Sequence, residues 1–211
     1  MKNKRTILFI CGAKGSYVRN TINLKALKKT FNVIRITSDA SSYFVRLPEV
    51  ILRFIFCFKK YDLVFVGFLS QPLMPFIKLR TKKPIIVDAF ISIYDTLCFD
   101  RRIFKPHSVI GKISYWFDEK SCQWADKIIT DTKTHADYFS KIFNIDRSKF
   151  QTIYLGAEGD IFSPQNIKRE EKYKDKFIVF YYGSGLPLQG IDIILKAAKL
   201  LESERSVIFQ K

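Results

Sequence analysis

Six short apolar runs punctuate residues 5–156, and stretches of helical period separate them. The runs are RTILFICG, FNVIRIT (31–37), LVFVGF (63–68), PIIVDAF (84–90), KIITDT (127–132) and QTIYLG (151–156). A run that is apolar at consecutive positions shows both pleat faces to a core, so it belongs to a sheet covered on both sides. The intervening stretches supply the cover. Val18, Ile22, Leu24 and Leu27 fall at helical spacing, and 43–60, 71–80, 108–125 and 133–143 read as further helices. Parallel strands with right-handed helical crossovers give an α/β, doubly wound, Rossmann-like sheet. With 47% hydrophobic residues in 211, the chain holds enough apolar side chains for one full core and part of another.

After Gly156 the texture changes. AEGDIFSPQNIKREEKYKDK has no apolar period and is dense in charge, which marks a linker. The alternation then restarts with FIVFYYG (177–183), IDIILKAAKLLESE (191–204) and SVIFQK. Residues 1–163 are expected to form one domain. Residues 164–211 are expected to be a linker and the first β-α-β of a second, incomplete α/β domain.

The formal net charge is +16, and it is uneven: residues 1–60 hold thirteen Lys and Arg against Asp39 and Glu49. Such a field favours nucleic acid, an anionic membrane surface or phosphorylated substrates. The segment 43–60 mixes aromatic, aliphatic and basic residues. As a helix starting near Pro48 it either packs internally or rests on an anionic membrane, and its exposed apolar area decides between them. LPEVILRFIFCF is too short for a membrane span and is interrupted by Glu49 and Arg53. The N-terminal apolar run Ile7–Cys11 is too short for a signal peptide. The expected location is cytoplasmic, with at most peripheral contact at the inner face of the membrane. Cys11, Cys57, Cys98 and Cys122 are widely spaced and form no CxxC, so reduced thiols are expected and zinc is not.

Ligands of open parallel sheets bind at the carboxyl ends of strands. After the first strand come Gly12, Lys14, Gly15 and Ser16, a loop able to face an anion or to serve as a plain tight turn. It is neither GxGxxG nor a P-loop, which argues against a nicotinamide enzyme although Asp39 follows. Asp88 ends an apolar strand, where it acts as a general base in a cleft or as a structural cap. Asp95, Asp100 and Arg101 follow in a polar-aromatic loop, as an ion-pair network or as phosphate and acceptor contacts. His107 and His135 read as surface loop or helix residues. YYGSGLPLQGID (181–192) has the form of a phosphate-facing loop, yet it carries no cation.

ADKIITDTKTHADYFSKIFNIDRSKFQTIYLGAEGDIFSP resembles the segment joining the two domains of GT-B glycosyltransferases of the family 4 (group 1) type. The matching positions are Ala125, Asp126, Gly156, Asp160, Phe162 and Pro164. FIVFYYGSGLPLQGIDIILKAAKLL is similar to the start of that family's second domain. The resemblance implies transfer of a sugar from a nucleotide-sugar donor to an acceptor hydroxyl, with the nucleotide-sugar as co-substrate and no metal or other cofactor. It implies an acceptor side in the first domain and a donor side in the second. It assigns donor contacts to Gly12, Lys14, Gly15, Ser16, Gly183, Ser184, Gln189 and Gly190, and places Asp88 near the family's catalytic position, where many members carry a histidine or an acidic residue. Ser184 and Gln189 stand where the family carries Arg and Lys, so charge on the diphosphate would come from elsewhere. The family's acidic Glu-x7-Glu pair is not reached, which gives the expectation that this chain alone is inactive, or that a separate chain supplies the rest. A saccharide or lipid-linked acceptor, in cell-surface polysaccharide or glycolipid synthesis, fits the basic, aromatic first half. An acceptor-binding subunit without catalysis and a nucleic-acid-binding protein are the alternatives, the latter resting on charge alone.

Overall fold

The computed structural model describes residues 4–156, 162–164, 168–183, 189–203 and 207–210. The chain divides into two compact units, Met1–Leu155 and Gly156–Lys211.

In the first unit, β1 (Thr6–Ile10), β2 (Asn32–Ile36), β3 (Leu63–Val66), β4 (Ile85–Asp88), β5 (Lys127–Thr130) and β6 (Phe150–Thr152) form one sheet in the order β2-β1-β3-β4-β5-β6. Every pairing is parallel. Helix α1 (Val18–Thr30) follows β1, α2 (Tyr43–Ile55) follows β2 and α3 (Met74–Arg80) follows β3. The β4–β5 connection carries the short α4 (Ile93–Asp95), a π-helical turn (Thr96–Asp100) and α5 (Val109–Trp124), and α6 (Lys133–Ile142) follows β5.

The strand order sets which helix covers which face. From β1 to β2 the chain steps one way along the sheet. It then reverses past β1 to β3, and every later step keeps that second direction. Right-handed crossovers put helices from opposite steps on opposite faces. Hence, among the described helices of the first unit, α1 alone packs on one face, where Leu24, Leu27 and Phe31 meet Ile7, Phe9 and Phe65. Helices α2, α3, α5 and α6 share the other face, where Val50, Phe54, Met74, Ile77, Cys122 and Phe139 meet Leu8, Ile10, Val64, Val66, Val87 and Ile128. On the α1 side, Ile86 and Ile129 of the far strands stay only partly buried. The reversal between β1 and β3 is the topological switch point, where crevices open at the carboxyl ends of strands.

Helix α2 differs from the expected start. It begins at Tyr43, so Pro48 lies inside it rather than in its first turn. An interior proline lacks the N–H that would bond the carbonyl four residues back, here Phe44, and costs about 3 kcal/mol. The earlier start is offset by packing: Leu47, Val50, Ile51 and Phe54 recur at helical spacing against the sheet. Among the described residues no helix is long and apolar enough to cross a membrane. All four cysteines are free thiols, three of them buried.

In the second unit, β7 (Phe177–Phe180) and β8 (Val207–Gln210) pair in parallel, with α7 (Ile191–Leu200) between them. This is the β-α-β order expected from the restart of the alternation. Gly190 precedes α7 at φ 64°, a left-handed conformation that glycine adopts without a Cβ penalty.

Replacing Phe54 by Ala should lower the unfolding free energy by about 3–5 kcal/mol, whereas Phe44→Ala on the opposite side of α2 should change it by about 0.5 kcal/mol or less. Urea denaturation followed by circular dichroism measures both.

Candidate active site

At the switch point the β1–α1 and β3–α3 loops are locked together. The Gly12 N–H donates to the Ser70 hydroxyl at 2.8 Å, and a Cβ on Gly12 would lie 2.5 Å from the Leu69 carbonyl oxygen. Only glycine permits that approach. Leu69 itself has φ 55°, a strained value for a side chain of this size. Asn20, wholly buried in the first turn of α1, completes the lock. Its amide donates to the Lys14 carbonyl at 3.3 Å, and its Oδ1 accepts from the Phe68 N–H at 3.1 Å.

Pleat alternation sends Asp88 to the α1 face, two positions beyond Ile86. There the carboxylate is 3% exposed and meets Arg19 of α1. Arg19 Nη2 lies 2.6 Å from Oδ1 and Nε 2.8 Å from Oδ2, while Asn23 Nδ2 donates to Oδ2 at 2.9 Å. The guanidinium also lies 4.4 Å from the Phe90 ring. Burial pushes the Asp88 carboxyl upward, and the Arg19 and Asn23 hydrogen bonds oppose that push. Both Asp88 oxygens are therefore taken up by α1. In this arrangement the carboxylate anchors Arg19 and does not stand free toward a substrate.

The same alternation places Asp131, just after β5, near Asp88, whose carboxyl its charge also raises. Asp131 Oδ1 lies 2.8 Å from His135 Nδ1. The Thr132 hydroxyl caps α6 by accepting the His135 N–H at 3.1 Å, and the imidazole packs 4.2 Å from the Phe139 ring. His135 is thus a held, half-buried imidazole and not a loose surface residue, whereas His107 is exposed. Asp131 and His135 were legible as an i,i+4 pair around a Thr N-cap, TDTKTH, but each looks ordinary alone.

The β4–α5 connection is propped by Asp118 of α5. Its carboxylate accepts the Ile93 N–H (3.1 Å), the Tyr94 N–H (2.8 Å) and the Ser92 hydroxyl (2.8 Å). Burial nonetheless pushes Asp118 up to about 6. Asp95 accepts the Tyr138 hydroxyl at 3.0 Å, which ties the connection to α6, and burial raises its carboxyl too. Asp100 and Arg101 are exposed on the same connection. Beside α1, toward the β2 edge, a cleft of about 510 Å3 is lined by Lys14, Gly15, Ser16, Lys25, Lys28 and Arg35, with Asp39 its one acid. Lys14, Gly15 and Ser16 thus share one basic hollow. In the second unit the Tyr181 hydroxyl donates to Gln189 Oε1 at 2.9 Å beside Gly183, while Ser184 lies outside the described residues. Among the described residues no cluster of three His, Cys, Asp or Glu is placed to hold a metal ion.

The D-inositol 3-phosphate glycosyltransferases of Mycolicibacterium smegmatis and Mycobacteroides abscessus are each 31% identical to the chain over 88 residues. That stretch is 40% of this chain and 20% of each of those proteins. The chain resembles the GT-B glycosyltransferases. In fold, it aligns over 99% of its length with 70% of the Anabaena protein Alr3699/HepE, solved in complex with UDP, at a TM-score of 0.54 and 11% identity. No protein-family model matches the chain. The glycosyltransferase-like architecture puts the Arg19–Asp88 and Asp131–His135 pairs at the strand ends, where such sheets bind ligands.

Two outcomes test this geometry. Arg19→Leu leaves the Asp88 carboxylate buried and unpaired, and should cost about 3–5 kcal/mol, whereas Arg19→Leu with Asp88→Leu should recover much of that loss in the same denaturation assay. For Asp118, the folded value of about 6 stands above the ordinary carboxylate value of 3.8. Between those two values the folded state binds the extra proton, so its contribution falls as pH rises through the window and is constant above about 6. Wild type should lose about 3 kcal/mol relative to Asp118→Asn across that window in denaturant titrations.

Proposed function

We propose that the protein transfers a sugar from a nucleotide-sugar donor to the hydroxyl of a saccharide or lipid-linked acceptor, in cell-surface polysaccharide or glycolipid synthesis. The 31% identity to D-inositol 3-phosphate glycosyltransferases carries this reading. The UDP held by the HepE neighbour agrees with a nucleotide-sugar donor.

In this reading the acceptor O–H faces His135 Nε2. The acceptor oxygen forms a bond to the sugar anomeric carbon as the bond from that carbon to the nucleoside diphosphate breaks. The proton passes to Nε2, and Asp131 holds Nδ1–H and stabilises the imidazolium that results. Asp88, expected from the sequence as the base, acts one step back by fixing Arg19 and Asn23. The basic hollow of Lys14, Gly15, Ser16, Lys28 and Arg35 suits a phosphate of donor or acceptor. Gly183, Ser184, Gln189 and Gly190 of the second unit are assigned to the donor on the resemblance, with Asp95, Asp100 and Arg101 on the acceptor side.

Incubating the protein with a panel of nucleotide-sugars and hydroxyl acceptors, with mass spectrometry of the products, should show a hexosylated acceptor and released nucleoside diphosphate. Neither transfer nor nucleotide binding across the panel would end the proposal. His135→Gln should lower kcat by about 100-fold or more with KM little changed, and should remove the limb of the pH–rate profile that belongs to the base.

A further inference from the structure

We propose that the outer face of α2, continued by the end of α3, is a docking surface for an anionic lipid bilayer. Helix α2 is apolar around most of its circumference but packs on one side only. At about 100° per residue, Phe44, Val45, Pro48, Leu52, Ile55 and Phe56 fall within an arc of about 120°. All six are exposed, Phe44 to 87%, while Val50 and Phe54 on the opposite arc are buried. The face does not stop at the helix end. Arg80 of α3 donates from Nη2 to the Cys57 carbonyl at 3.0 Å and lies 5.7 Å from the Phe58 ring. That contact sets Phe58 (82% exposed), just past α2, against the end of α3, where Leu79 is 88% exposed.

Charge around this face is predominantly positive. Lys59, Lys60, Lys78, Arg80, Lys82 and Lys83 are all exposed, and residues 50–61 and 63–87 contain no Asp or Glu. Two acids adjoin these segments: Glu49 is engaged by Arg53 at 2.5 Å and by the Ser38 hydroxyl, and the exposed Asp62 accepts the Thr6 N–H at 2.7 Å. A convex helix face with aromatic and aliphatic side chains and a border of lysines meets both demands of an anionic interface: apolar burial at the acyl boundary and cations at the headgroups. A second copy of the chain would set these lysines against their own kind, which disfavours self-association as the occupant. The helix lies along such a surface and does not cross it. This inference rests on the α2 face alone and stands apart from the sugar-transfer reading.

Vesicle flotation of the purified protein tests it. At low salt the protein should float with vesicles of equal phosphatidylglycerol and phosphatidylcholine, remain behind with phosphatidylcholine alone, and be released as salt rises. Phe44→Ser with Leu52→Ser should reduce the bound fraction by about fivefold or more while melting and circular dichroism stay unchanged, and Lys59→Gln with Lys60→Gln should weaken the salt-sensitive part. The proposal fails if the wild-type protein does not float with the anionic vesicles, or if the apolar pair of substitutions leaves flotation intact. It also fails if sedimentation without lipid shows a dimer that the same substitutions dissolve, because a second copy would then own the face. Sugar transfer to a water-soluble acceptor without vesicles is read separately, so failure of one reading does not mask the other.

Discussion

A buried guanidinium–carboxylate pair holds the top of the first unit together. Helix α1 is the one described helix on its face of the sheet, and it lies beside β1 and β2 in sequence order. Arg19 carries it across to β4, where Asp88 receives two nitrogens of the guanidinium and Asn23 adds a third hydrogen bond. Such pairs add little net stability compared with an apolar replacement, because desolvating both charges offsets their attraction. The upward push of burial on Asp88 reports that cost directly. What the pair supplies is placement. Apolar contacts of Leu24 and Leu27 tolerate a helix that slides or rotates by part of a turn, while a bidentate Arg–carboxylate contact does not. Asn20 repeats the constraint at shorter range by reaching both strand-end loops beside it.

The same reversal of chain direction leaves α1 as the one described helix of the first unit on its face of the sheet. Ile86 and Ile129 are half-buried there, and Asp131 and His135 stand at the open end of the strip. Two carboxylates, one already neutralised by Arg19, and one oriented imidazole therefore share the carboxyl end of β4 and β5. The division of labour follows from partners. Asp88 spends its lone pairs on α1, and Asp131 spends one on the imidazole, which keeps Nε2 directed away from the carboxylate.

The strand positions were legible because unbroken apolar runs admit one burial pattern, whereas their order in the sheet, β2-β1-β3-β4-β5-β6, came from the structure. Even the pleat side of Asp88 follows from counting two residues from Ile86. The start of α2 was not legible: Pro48 looked like a first-turn residue, and the packing of Leu47, Val50 and Phe54 that outweighs its cost is a tertiary effect. Arg19, Asn20 and Asn23 escaped notice for a related reason. Helical periodicity gives weight to apolar positions, and Asn20 occupies the inward arc of α1 as a polar residue whose partners lie up to 48 positions away. Arg19 and Asp88 are 69 positions apart, a separation at which spacing carries no signal. His135 was visible as a residue and invisible as a site, since its meaning lies in Asp131 one turn earlier and in the Thr132 cap between them.

The strained backbone at the switch point links the two halves of the functional argument. Leu69 sits at φ 55°, at a cost on the order of 1–2 kcal/mol for a non-glycine residue. Its carbonyl accepts the Tyr43 hydroxyl at 3.1 Å and lies so near Gly12 that a Cβ there would come within 2.5 Å of it. Tyr43 is the first residue of α2, and Phe44, the next, begins the exposed apolar arc. Ser70, following Leu69, holds the Gly12 N–H at the start of the basic loop. Two hydrogen bonds, from the Tyr43 hydroxyl to the Leu69 carbonyl and from the Gly12 N–H to the Ser70 hydroxyl, thus tie the start of α2 and the β1 loop to one strained turn. The left-handed turn at Leu69 is held by α2 on one side and by the β1 loop on the other, and such over-determination is how an unfavourable backbone conformation persists.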